Sequence, residues 1–191
     1  MAKVYHAEAA GPLEAPCSMS SESKTFTIWM KSLVYHANGC TVFDSKGEIV
    51  YRVDNYDSRC SSEVFLMDRQ GKVLCTRQRK RLRIFGRWDG YRLDTKKPWF
   101  QVRKCSRDFM GDLACEVTVG HCKYWTVSLA HKASFQIVDI DGDVVVEVKQ
   151  KQVCSGIMLG DDVLSLEVKP HFDHSLIMAL VTVNGLINGK M

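Results

Sequence analysis

Asp173-His174-Ser175-Leu176-Ile177-Met178-Ala179-Leu180-Val181-Thr182-Val183-Asn184-Gly185-Leu186-Ile187-Asn188-Gly189-Lys190 decides the fold of this 191-residue chain. From Leu176 to Ile187 only Thr182, Asn184 and Gly185 interrupt the apolar residues. The stretch is apolar all round, with no polar stripe, and a helix of that kind must be surrounded by protein or lipid. Spanning a bilayer takes ~20 apolar residues, so this shorter run predicts a core helix. Asp173 stands at the expected N-cap and Gly189 at the expected C-terminal glycine position.

Upstream, the chain reads as strands and turns. Asp44-Ser45-Lys46-Gly47, Asp68-Arg69-Gln70-Gly71 and Asp139-Ile140-Asp141-Gly142 each lie between short apolar runs. Asp opens a type I turn by accepting backbone N–H groups, and Gly takes the left-handed position that closes a bulged hairpin. Asn38-Gly39 and Asp89-Gly90 read as two further, two-residue hairpins. Additional strands are expected over 26–33, 99–104, 113–119, 122–129 and 163–168, about a dozen in all. One apolar helix after a dozen strands predicts a mainly β fold: a closed antiparallel barrel around a central C-terminal helix. Closure would also remove exposed strand edges.

Composition fits one globular unit, with 46% hydrophobic and 25% charged residues. Residues 1–25 show no apolar period and are expected to be a flexible leader, with a single domain over 26–191. No basic n-region followed by an apolar run opens the chain, so secretion is not expected. The eight cysteines include no Cys-x-x-Cys and are expected to be reduced thiols in a cytoplasmic or nuclear setting.

Charge is distributed unevenly. The segment 72–107 holds thirteen Lys or Arg against Asp89 and Asp94, a local net charge of +11, whereas the remainder carries −7. In an extended chain Arg77, Arg79, Arg81 and Arg83 fall on one face. Such a row cannot be buried without partners and should line a solvent-facing surface. Arg87 extends the group. Three readings remain open: a solvated face, a site for anionic phospholipid headgroups, and a nucleic-acid or nuclear-localisation patch. Trp88, Tyr91, Trp99 and Phe100 interleave with the basic residues and would have to stack bases in the third reading. No nucleic-acid-binding motif accompanies them, so lipid is preferred and nucleic acid is the less favoured partner.

Other chemistry finds little support. Asp139 to Gln150 lacks the glycine and glutamate of a calcium loop. Cys115, His121, Cys122 and His131 are of zinc-binding type but match no finger spacing, and His171 with His174 lacks further ligands. There is no Gly-x-Ser-x-Gly elbow and no phosphate loop. Neither enzymatic activity, cofactor nor metal is expected.

Several segments taken in order carry a resemblance. They are Thr27-Ile28-Trp29-Met30-Lys31-Ser32-Leu33, Gly39-Cys40-Thr41-Val42-Phe43-Asp44, Tyr51-Arg52-Val53-Asp54-Asn55-Tyr56 and Leu66-Met67-Asp68. Gly86-Arg87-Trp88, Val138-Asp139, Gly160-Asp161-Asp162-Val163-Leu164 and His174-Ser175-Leu176-Ile177-Met178-Ala179-Leu180 follow. Over about 26–191 the chain resembles the plant LURP-one-related family. That resemblance implies a tubby C-terminal-like fold, twelve strands closed around a hydrophobic helix, in a superfamily that includes phospholipid scramblases. It also implies a non-enzymatic regulatory protein, with links to plant defence in some members and phosphoinositide tethering in tubby proteins. Tubby lipid-binding residues do not map onto this chain, so Arg77, Arg79, Arg81, Arg83 and Arg87 are a site read from its own charge. The expected protein is a monomer, cytoplasmic, peripheral to membranes or nuclear, with anionic phospholipid or protein partners. The alternative is a nuclear, nucleic-acid-associated regulator using the 72–107 segment.

Overall fold

The computed structural model of the chain describes residues 20–31, 38–55, 63–80, 87–93, 95–105, 114–128, 134–153 and 156–187. Twelve strands precede one helix: β1 (Lys24–Trp29), β2 (Asn38–Phe43), β3 (Ile49–Asn55), β4 (Glu63–Asp68), β5 (Val73–Lys80), β6 (Arg87–Arg92), β7 (Phe100–Lys104), β8 (Ala114–Val119), β9 (Cys122–Ser128), β10 (Phe135–Val138), β11 (Val144–Gln150), β12 (Val163–Val168) and α1 (His174–Ile187). Each strand pairs antiparallel with the next in sequence. The barrel closes where β1 meets β12, from Lys24 opposite Val168 to Trp29 opposite Val163. At this seam the Asp162 Oδ2 accepts from Trp29 Nε1 at 3.2 Å and pairs with Lys31 Nζ at 3.2 Å. Lys31 holds the Asp162 carboxyl below the usual carboxylate range.

The three Asp-x-x-Gly turns form as the residues dictate. Asp44 Oδ1 accepts from the N–H of Lys46 and Glu48, Asp68 Oδ1 from Gln70 and Lys72, and Asp139 Oδ1 from Asp141 and Asp143. Gly47, Gly71 and Gly142 take φ of 82°, 80° and 87°, the left-handed region that glycine enters without a Cβ penalty. A register shift accompanies each turn, at Val42/Phe43, Leu66/Met67 and Ile137/Val138, as a glycine bulge requires.

The two-residue hairpins expected at Asn38-Gly39 and Asp89-Gly90 are not turns. Asn38 and Gly39 open β2, and Asp89 and Gly90 sit in the middle of β6. These glycines answer to close approach, not to a turn. A Cβ on Gly39 would overlap the Val53 carbonyl oxygen, and one on Gly90 would overlap the Phe100 ring. The true two-residue hairpin joins β8 to β9 through Gly120-His121, with Gly120 at φ 58° and glycine in the first central position. At the N-terminal edge, β1 begins at Lys24, and Ser20 already accepts from the N–H of His171.

The helix occupies the barrel interior. Residues Ile177 through Gly185 are all buried, and they join one core cluster with Ile28, Val53, Leu66, Phe100, Val117, Val148 and Leu166. Each large apolar side chain in that run contributes about 1.5–3 kcal/mol by burial. Asp173 Oδ1 caps the helix, accepting from Ser175 N at 2.9 Å and Leu176 N at 3.4 Å. Its Oδ2 pairs with Arg92 at 3.2 Å, and Arg92 in turn lies over the Trp99 ring. Buried Thr182 donates to the Met178 carbonyl, which satisfies its hydroxyl inside the helix. His171, at φ 68°, reverses the chain between β12 and the helix.

The antiparallel meander sorts the connections by end. The hairpin end carries 44–48, 69–72, 93–99, 120–121 and 139–143. The loop end carries 30–37, 56–62, 81–86, 105–113, 129–134 and 151–162. The helix enters at the hairpin end, where His174 contacts Phe26 of β1 and Phe172 contacts Tyr124 of β9. At 1.5 Å per residue it runs about 21 Å toward the loop end, comparable to a six-residue strand.

Leu180→Asp should leave no folded monomer, because it places an unpaired carboxylate among apolar neighbours; an unchanged melting temperature would contradict the enclosed helix. His174 supplies a pH test. Burial first, then Lys24, pushes its imidazole pKa down, with Asp173 opposing. The unfolded chain therefore binds the proton more readily, and stability falls as pH drops below about 6.5, the ordinary imidazole value. In urea titrations across that window, His174→Phe should flatten the decline.

Candidate functional site

The meander concentrates the basic segment at one end of three neighbouring strands. Arg77, Arg79 and Lys80 are the last part of β5, Arg87 begins β6, and Arg103 and Lys104 end β7. All of these positions are at the loop end, with Lys72, Arg92, Lys96 and Lys97 at the hairpin end. Arg81 and Arg83, expected to complete the row, lie outside the described residues, as do Arg107 and Asp94.

Register sharpens the picture. Lys80 stands directly opposite Arg87, and Arg87 directly opposite Arg103. Three basic positions thus form one transverse row across β5, β6 and β7. Like charges directly opposite across strands are destabilising, and the acidic neighbours offset them unevenly. Glu116, which faces Arg103 on β8, is held by Lys123 at 2.9 Å. Asp89 is held by Arg87, Nε to Oδ1 at 2.7 Å, with the Tyr91 hydroxyl 3.4 Å from Oδ2. Arg103 and Lys104 are exposed and make no ion pair among the described residues. Arg77 stands opposite Gly90 and Arg79 opposite Trp88, on the row that begins with buried Cys75 opposite Arg92.

Arg87 was expected in the ligand row; the structure commits its Nε to Asp89. The same device recurs on β3, where Arg52 Nε lies 3.0 Å from Asp54 Oδ2 and Asp54 is wholly buried. Both acids lie on the outer face, opposite in alternation to the core residues Val53 and Trp88. The signal was present as Arg-x-Asp in Arg52-Val53-Asp54 and Arg87-Trp88-Asp89. Spaced by two in a strand, such residues share a face, so the arginine can roof the carboxylate.

Three of the four aromatics that a nucleic-acid reading needs are occupied elsewhere. Trp88 and Phe100 belong to the core, and Trp99 packs on Phe100 and Arg92. The zinc-type residues do not converge: Cys115 is buried within the barrel, whereas His121 and Cys122 are exposed at the β8–β9 turn. Burial pushes the Cys115 thiol up, with the Thr126 hydroxyl opposing. His131 lies outside the described residues. Among the described residues no group of three or more His, Cys, Asp or Glu is placed to hold a metal, and no helix is long and apolar enough to cross a membrane.

These elements define a closed twelve-strand antiparallel barrel threaded by an apolar helix. The LURP-one-related family model matches residues 24–184, and the chain belongs to that family. It is 48% identical over 179 residues to protein LURP-one-related 4 of Arabidopsis thaliana, covering 90% of this chain and 81% of that one. It is 42% identical to LURP-one-related 11 of the same plant, covering 89% and 80%. Among solved structures, an X-ray structure of an Arabidopsis thaliana protein matches with a TM-score of 0.65 at 16% identity, covering 94% of this chain and 99% of that one. This last likeness carries the fold alone.

The Arg87–Asp89 pair should be asymmetric under mutation. Asp89 is 4% exposed and Arg87 20%, so removing the arginine strands a dry carboxylate, while removing the acid lets the arginine turn to water. Arg87→Met should cost about 3 kcal/mol and Asp89→Asn clearly less. Equal losses by chemical denaturation would contradict the roofed geometry.

Proposed function

We propose that this protein is a non-enzymatic binding protein that docks on anionic, phosphoinositide-bearing membrane surfaces through the loop end of β5–β7. The observation that carries this reading is the transverse row Lys80, Arg87 and Arg103, flanked by exposed Lys104. Arg103 and Lys104 are exposed and make no ion pair among the described residues, and a multivalent anion lowers the energy of such uncompensated charge. A phosphorylated headgroup presents several acceptor oxygens at about the ~4.8 Å spacing of adjacent strands, and arginine is the side chain best matched to phosphate. The helix adds to the contrast between ends. Its negative C-terminus is directed toward the basic end, which favours cations there in the free protein. The role in plant defence implied by the family resemblance fits a protein that reports on a membrane surface, acting from the cytoplasmic side as a monomer.

Three of the four aromatic rings set this reading above the nucleic-acid alternative, because Trp88 and Phe100 are buried and Trp99 is covered by Arg92.

Co-sedimentation with vesicles tests the proposal. Phosphatidylcholine vesicles containing phosphatidylinositol bisphosphate should be bound in preference to vesicles of equal charge made with phosphatidylserine. Each surface cation contributes ~1 kcal/mol, so Arg103→Ser/Lys104→Ser should weaken binding by roughly 30-fold. Binding that tracks bulk charge alone, or that survives these changes, would return the segment to an ordinary solvated face.

A further inference from the structure

A second feature of the loop end is apolar. Beyond β11 the chain does not cross directly to β12 but forms a small two-stranded arm. Lys151 N donates to Val163 O, and Leu159 N donates back to Lys151 O at 2.9 Å. Gln152 bridges Met158 in antiparallel fashion, Val153 N donates to Ile157 O at 3.0 Å, and Gly156 N closes the turn on Val153 O at 2.8 Å. Gly156 takes φ 77°. The base is fixed by Gln150 Nε2, which donates to Leu159 O at 2.6 Å, and by Lys151 Nζ, which donates to the Thr27 hydroxyl. A hydrogen-bonded arm on an anchored base presents its side chains in a defined arrangement.

Those side chains are hydrophobic and in water. Ile157 is 63% exposed, Met158 44% and Val153 39%. The other large apolar residues exposed among those described are Ile49, which opens β3, and Leu93 and Ile140, on two separate connections, all at the hairpin end. Ile140 there lies between Asp139 and Asp141, a setting that an anionic surface repels. Single exposed apolar residues are ordinary, but here three fall within six residues of one hydrogen-bonded arm, Val153 and Ile157 on one face and Met158 on the other, a concentration that asks for an occupant. Charge names the occupant. The arm shares its barrel end with the basic row Lys80, Arg87 and Arg103; at its own base Lys149 pairs with Glu147, Lys151 donates to the Thr27 hydroxyl, and Asp162 beside exposed Asp161 is held by Lys31. β8, β9 and β10 separate the arm from β7 around the barrel, so both features meet one flat surface only if the whole loop end faces it.

We propose that the arm formed by residues 151–153 and 156–159 is a membrane-inserting finger. Val153, Ile157 and Met158 enter the boundary between headgroups and acyl chains of an anionic bilayer while the basic row holds the headgroups. The inference rests on the lipid-docking reading above and adds a second, apolar contact that fixes the barrel end-on to the membrane. Two weak signals are what stable anchoring requires, because neither a few apolar groups nor a basic patch holds a protein alone.

The test uses the full chain and two ligands: vesicles of phosphatidylcholine, phosphatidylserine and phosphatidylinositol bisphosphate, and a soluble inositol polyphosphate. Ile157→Ser/Met158→Ser changes exposed side chains, so folding should be unaffected, as checked by melting temperature. The expected result is at least about tenfold weaker partitioning to vesicles with binding of the soluble headgroup unchanged. Equal vesicle binding by variant and parent would overturn the finger while leaving the basic site intact. Parallel loss of vesicle and soluble-headgroup binding would also overturn it, by showing that the arm merely supports the basic site. A parent protein that binds neither ligand would overturn the docking reading and the finger together.

Discussion

An apolar helix with no polar face has to be enclosed, and the rest of this structure follows from meeting that demand. α1 presents nine consecutive buried residues from Ile177 to Gly185, so contact on one side would leave much of its surface in water. A twelve-strand sheet closed on itself supplies contact in every direction and leaves no strand edge unpaired. The price of that solution falls at the helix entrance, where the first N–H groups leave the strand network. Asp173 satisfies them, Arg92 fixes Asp173, and Trp99 supports Arg92. One carboxylate therefore couples the helix start to β6 and to the connection leading into β7.

The fold was legible wherever local chemistry has one structural meaning. Asp followed three residues later by Gly specifies a capped turn with a left-handed glycine, and Asp44, Asp68 and Asp139 form that turn with the same pair of hydrogen bonds. The apolar run after Asp173 likewise admits only enclosure once its length is too short for a bilayer. Asn38-Gly39 and Asp89-Gly90 misled because glycine serves two needs. Positive φ and the absence of a side chain are indistinguishable in sequence, and at both positions the second need decides, against the Val53 carbonyl and the Phe100 ring. Gly120-His121 was the overlooked turn, although its leading glycine between β-rich runs was a readable signal.

The candidate site was only half legible. A run of basic residues and its local excess of charge are visible in the sequence. What the run does in space depends on register, which pairs Lys80 with Arg87 and Arg87 with Arg103. Register also separates the cations that are engaged, such as Arg87 on Asp89, from those that face solvent, such as Arg103 and Lys104. The arm formed by residues 151–153 and 156–159 was hidden for the same reason. Val153, Ile157 and Met158 look like core residues until the β11–β12 connection turns them outward. The two ends of the barrel consequently differ in kind. One holds the tight turns and the helix cap, and the other carries the basic ends of β5–β7 and the arm between β11 and β12.

Native-state hydrogen exchange of the helix amides tests the enclosed helix most directly. If the barrel must open for Ile177 to Gly185 to reach water, these amides should exchange with the free energy of global unfolding, equal to that of the β1–β12 seam. Their protection should fall in step with stability as denaturant is added. Exchange of the helix through a lower-energy opening, while the β1–β12 amides remain protected, would contradict the account by showing that the helix leaves without the barrel.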